Sequence, residues 1–117
     1  MLHGAIVKRN AMVGMNAVVM DEAVIGESAV VAACAFVKAG MVIAPRSLAA
    51  GVPARVLRSL TDEEIAWKES GTRTYHELAV RSMKTLREVA PRDAVEPDRP
   101  RIRVSGDVVP KIALKKG

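Results

Sequence analysis

MLHGAI-VKRNAM-VGMNAV-VMDEAV-IGESAV-VAACAF-VKAGMV-IAPRSL, residues 1–48, divides into six-residue units in one unbroken register. The first place of each unit is Met1, Val7, Val13, Val19, Ile25, Val31, Val37 or Ile43. The fifth is Ala5, Ala11, Ala17, Ala23, Ala29, Ala35, Met41 or Ser47. A bulky aliphatic and a small residue therefore recur every six positions, and only Met41 breaks the small-residue rule. An α-helix would repeat near 3.6 residues and a plain strand at 2. A period of six suits a chain that runs straight, turns a corner and runs straight again. Three such units make one triangular coil of a parallel β-helix, the architecture that a fixed hexapeptide repeat announces. The aliphatic residue points into the prism from a flat face, and the small one points inward near the corner. A sandwich of ordinary strands has no reason to keep that register.

Composition agrees. Half of the 117 residues are hydrophobic but only 3% are aromatic, which suits a narrow core of Val, Ile and Ala. Cys34 is the single cysteine, so no internal disulfide framework exists, and it is read as inert. No apolar run is long enough to span a membrane, and Met1 leads straight into the repeat with no signal peptide. We therefore expect a cytoplasmic protein with no membrane partner. The net charge of +5 owes much to residues 99–117, which hold six basic residues and one acid, Asp107. With Phe36, Trp67 and Tyr75 as the only aromatics, no stacking surface accompanies that charge, and nucleic acid is not an expected partner.

The chain divides into a β-helix over 1–48, a connecting turn over 49–60, C-terminal helices over 61–90 and an extended or disordered tail over 91–117. At three units per coil the β-helix has fewer than three coils. Each coil of a solenoid buries its core only against its neighbours, so Val7 and Val13 are expected to be exposed in the first coil. We expect another chain, or sequence preceding Met1, to cover them, and on this reading the β-helix is N-terminally truncated. Gly51 and Pro53 in GVPAR turn the chain out of the coil. Thr61 with Glu64 three residues on forms a capping box, and Asp62, Glu63 and Glu64 suit the positive end of a helix. This helix is predicted to run to about Ser70 and to break at Gly71. A second is predicted from about Thr72 to Val89, with Tyr75, Leu78, Ala79, Ser82, Met83 and Leu86 on one stripe. His76 lies off that stripe and reads as a solvated side chain.

The segments LHGAIVKRNAMVGMNAVVMDEAVIGESAVVAACAFVKAG and GVPARVLRSLTDEEIAWKESGTRTYHEL resemble the γ-class carbonic anhydrase-like branch of the hexapeptide-repeat family. Within it they look similar to the PaaY-type subgroup of phenylacetic acid degradation. The resemblance covers nearly the whole chain. It implies a left-handed β-helix, a homotrimer and zinc sites between subunits, each using three histidines. The third family histidine lies in an LHG motif, matched here by Leu2-His3-Gly4. The other two precede it in the family, one by five residues and one by a coil, at positions this sequence does not contain. The residue after LHG is usually cysteine and is here Ala5. Catalytic zinc needs about three protein ligands and an open position, so one histidine per chain implies weak metal binding and little metal-dependent turnover.

The activity that the resemblance implies is a zinc-dependent thioesterase acting on CoA thioesters. Its alternatives are carbon dioxide hydration by the same hydroxide, a hexapeptide acyltransferase, and a non-catalytic trimerisation module or gene fragment. An acyltransferase would be expected to carry its histidine on a loop off the coil, and no loop interrupts the repeat. The candidate site residues are His3 as a metal ligand and Met15, Asn16, Arg55 and Arg58 toward substrate. The arginines are chosen because a guanidinium suits CoA phosphates. No catalytic residue is assigned.

Overall fold

The computed structural model describes residues 1–100. They fall into two compact units, Met1–Glu69 and a second beginning at Ser70.

The first unit is the repeat. Seven two-residue strands follow one another at six-residue intervals: β1 (Ile6–Val7), β2 (Met12–Val13), β3 (Val18–Val19), β4 (Val24–Ile25), β5 (Val30–Val31), β6 (Phe36–Val37) and β7 (Val42–Ile43). The longer β8 (Ser47–Ala50) and β9 (Arg55–Ser59) come next. Pairing is parallel between strands three apart: Ile6 with Val24, Val24 with Val42, Met12 with Val30, Val18 with Phe36. The sheets are β1-β4-β7, β2-β5-β8-β9 and β3-β6. These are the three flat faces of a parallel β-helix with 18 residues per coil.

The predicted register holds where a coil has neighbours. Val19, Ile25, Val31, Val37 and Ile43 from the first places, and Ala17, Ala23, Ala29 and Ala35 from the fifth, form the buried core. The first coil is open at Val7, which is 40% exposed, and at Met1, but Val13, also expected to be exposed, is half-buried against the core. Corners have their own rule. The fourth residue of each unit takes a left-handed backbone: Gly4, Asn10, Asn16, Glu22, Ser28, Cys34, Gly40 and Arg46 all have φ between 53° and 68°. Only glycine, and to a lesser degree asparagine, adopts this conformation readily. Corner geometry therefore overrides local preference at Glu22, Ser28, Cys34 and Arg46.

The stretch 49–60, expected to be a simple connecting turn, is half of a hairpin. β9 returns antiparallel against β8, pairing Ser47 with Ser59 and Ala50 with Arg55. The reversal occurs at Gly51-Val52-Pro53, where Gly51 has φ 100°. This pairing covers the free edge of β8, which a plain turn would leave open.

The expected pair of helices is a single one, α1 (Asp62–Thr85). Gly71 does not break it. A glycine inside a helix costs only about 1 kcal/mol relative to alanine, too little to interrupt strong helix formers on both sides. The capping box is present: the Thr61 hydroxyl accepts from Glu64 N at 3.2 Å, and Thr61 N donates to Glu64 Oε2 at 3.1 Å.

Two clamps fix the start of α1 to one corner of the solenoid. That corner stacks Asn10, Ser28 and Arg46. Arg46 meets Asp62 at its lower end. At the upper end Lys68 Nζ donates to the Asn10 carbonyl and, at 2.6 Å, to Asn10 Oδ1. Asn10 Nδ2 in turn donates to Ser28 Oγ at 3.1 Å. Six helical residues span about 9 Å, and two coil spacings span about 9.6 Å, so both clamps can close together. Lys68 is only 3% exposed. Replacing it with methionine removes a charge-assisted donor and is expected to cost about 1–3 kcal/mol, read as a shift in the urea midpoint.

Burial lowers the Lys68 pKa from lysine's ordinary 10.5, against a smaller opposing pull from Glu69. The folded chain thus holds this proton less tightly than the unfolded chain. This group's linkage makes stability rise with pH in the window just below 10.5. The methionine variant should lose that rise.

In the second unit α1 continues to Thr85, with Tyr75, Leu78, Val80 and Met83 exposed. The helix therefore ends short of the predicted Val89. Residues 86–100 form no helix or strand, and Arg92 pairs with Glu96. The predicted tail beyond residue 100 lies outside the described residues.

Candidate functional site

His3 stands at a corner of the first coil, between the bridge that pairs Leu2 with Val19 and strand β1. Its backbone is fixed there: His3 N donates to Val19 O at 3.0 Å, and Glu22 N donates to Gly4 O at 2.9 Å. One coil further on, the same corner is Asp21-Glu22. His3 Nδ1 lies 2.7 Å from Asp21 Oδ1. An ionised carboxylate only accepts hydrogen bonds, so Nδ1–H is the donor and the neutral imidazole carries its lone pair on Nε2. Among the described residues Nε2 has no hydrogen-bond partner, and the side chain is 70% exposed. An imidazole with one nitrogen held and the other open can accept a proton from a nucleophile or bind a cation.

The other candidates are placed elsewhere. Met15 (83% exposed) and Asn16 form a different corner of the first coil, stacked over Ala33 and Cys34 through the Cys34 N to Met15 O bond. Twelve residues are two thirds of a coil, so they cannot share an edge with His3. Arg55 and Arg58 lie on β9, at the far end of the solenoid. Arg58 is also committed: its two guanidinium nitrogens donate to Glu64 at 2.7 and 2.8 Å. Arg55 and Arg58 therefore do not stand beside His3 within the chain. The partner the structure does supply, Asp21, was absent from the sequence candidates. The signal was available, because 18 residues per coil puts position 21 directly under position 3.

The donor set does not fit the three-histidine zinc site that the resemblance implies. Among the described residues no three His, Cys, Asp or Glu side chains stand together as a metal-holding group. Asp21 is turned to His3 Nδ1, His76 is in the second unit, and Cys34 is exposed at the Asn16 corner.

Comparison with known proteins bears on the class. Residues 4–39 match the family model for the bacterial transferase hexapeptide (six repeats). The match lies within the repeat segment of this chain. The carnitine operon protein CaiE of Citrobacter koseri is 52% identical over 113 residues, which cover 97% of this chain and 57% of that protein. CaiE of Salmonella newport is 51% identical over the same shares. The chain thus spans little more than half the length of these curated relatives. Among solved structures, a candidate acetyltransferase of Bacillus cereus is 35% identical with a TM-score of 0.70. A hexapeptide transferase family protein of Anaplasma phagocytophilum is 36% identical with a TM-score of 0.65. Each match covers 73% of this chain and 49% of the other. Among the described residues no helix is long and apolar enough to cross a membrane.

Proposed function

We propose that this chain serves acyl-group transfer from a CoA thioester, with His3 as the proton acceptor. The observation that carries the reading is the His3 imidazole itself, bonded at Nδ1 to Asp21 and 70% exposed, on a corner of the coil rather than on the loop expected of an acyltransferase. An acceptor hydroxyl or amine attacks the thioester carbonyl and gives its proton to Nε2. The new C–O or C–N bond forms, the C–S bond breaks, and the proton passes from Nε2 to the departing CoA sulfur. The transferase names of the Bacillus and Anaplasma relatives support the transfer reading.

With water as acceptor the same steps give thioester hydrolysis, the PaaY-type activity. The Leu2-His3-Gly4 match favours keeping that second reading, without any step through zinc, because the donors present do not hold it. The test follows release of free thiol from acetyl-CoA with and without amine and hydroxyl acceptors. Release that rises with acceptor and is indifferent to a chelator is expected. Release that stops on chelation and returns with zinc would overturn the reading.

The reading includes threefold self-association. Ile6, Val24 and Val42 form an outward apolar ladder along the first sheet, and Val42 is 69% exposed. Val42→Glu should convert the associated species to a monomer in sedimentation while leaving the melting temperature of the coil nearly unchanged. A wild-type chain that sediments as a monomer would contradict this.

A further inference from the structure

We infer that Asp21 is the positioning residue for His3 and that Gly4 exists in its present form to let it act. The inference rests on the proposed role of His3 but concerns which nitrogen of the ring is free, and this can be read without any turnover.

The geometry is a relation between two coils. Asp21 Oδ1 lies 2.7 Å from His3 Nδ1, in the layer directly below. The Asp21 backbone is fixed independently, because Gly40 N donates to Asp21 O at 2.9 Å from the third coil. The carboxylate rises from a fixed corner past residue 4. A Cβ at Gly4 would stand 2.6 Å from Asp21 Oδ1, closer than such atoms approach. Gly4 also has φ 56°. That conformation alone does not require glycine here, since Asn10, Glu22 and Arg46 adopt it at equivalent corners. The path of the Asp21 side chain is what sets residue 4 apart. His3, Gly4 and Asp21 thus form one device. The carboxylate holds Nδ1–H, fixes the ring's tautomer and orientation, and keeps the Nε2 lone pair directed away from the coil.

The readout is the imidazole tautomer, measured by long-range proton–nitrogen correlation NMR on the full chain labelled with nitrogen-15. The chain has two histidines, so His3→Gln assigns the signals and His76 serves as an internal reference. In the wild type, neutral His3 should be protonated on Nδ1. Asp21→Ala should move the proton to Nε2, the tautomer a free imidazole favours, while the His76 signals stay in place. Gly4→Ala should do the same by displacing the carboxylate, and it retains Asp21. Circular dichroism should show both variants folded, as both changes lie at an exposed corner.

Wild-type His3 protonated on Nε2, or a tautomer unmoved in both variants, would overturn the inference. If acyl transfer is measurable, Asp21→Ala should lower it, by no more than the roughly 100- to 10,000-fold that a positioned proton acceptor contributes. An Nδ1–H tautomer in a chain that transfers no acyl group would uphold the inference and reject the proposed function. The reverse outcome would separate them in the other direction.

Discussion

Gly26→Val should remove a large part of the chain's stability and lower its melting temperature sharply. A Cβ at Gly26 would stand 2.5 Å from Pro45 N, 2.6 Å from Ile43 O and 2.7 Å from Ala44 C, all backbone atoms of the next coil. Gly14 is in the same position, with Ala33 N at 2.4 Å. Neither glycine has a left-handed φ, so the constraint is space between coils. A flexible side chain can swing out of the way, but a stacked backbone cannot move without opening the ladder above and below it. We expect a loss of about 4 kcal/mol or more, at the top of the range for one substitution. Total stability of a domain is about 5–15 kcal/mol. Thermal unfolding followed by circular dichroism checks this, and a valine variant that melts with the wild type would refute the stacking described. Ala23→Leu, which overpacks a buried corner, should cost less, about 1–3 kcal/mol.

His3→Gln should lower kcat/KM for thioester turnover about 100- to 10,000-fold, the contribution expected of a positioned proton acceptor. Its melting temperature should stay close to that of the wild type, because the side chain is largely exposed and is bonded to an exposed carboxylate. The pairing of a large kinetic effect with a small stability effect is the signature. Equal losses in both would mean that His3 holds the first coil together and does no chemistry.

The solenoid was legible because its signal is redundant. Val19, Ile25, Val31, Val37 and Ile43 repeat the same statement, and one exception such as Met41 does not blur it. The capping box at Thr61 and Glu64 was legible for a similar reason, since its geometry is local. Gly71 was misread because its cost is small against a long run of helix formers. β9 was missed because its five residues are all exposed and show no alternation.

The site was less legible, since its contacts are between coils. Resemblance pointed to His3 alone. Arg55 and Arg58 were chosen by residue type, which does not say which end of the prism a residue occupies, and Met15 and Asn16 by following His3 by two units, a spacing that leads to a different corner. Arg58 looked free in the sequence because its partner, Glu64, was read only as part of a helix cap. Asp21 was overlooked although the coil length places it under His3.

The central claim is that a CoA thioester is handled at His3 Nε2. Its most direct test is to titrate the nitrogen-15-labelled chain with a non-cleavable thioether analogue of acetyl-CoA, in the presence of a chelator, while following both histidines. The account predicts a saturable shift of the His3 Nε2 resonance, no shift at His76, and no dependence on added zinc. Saturable binding of the analogue that leaves His3 unmoved would contradict it.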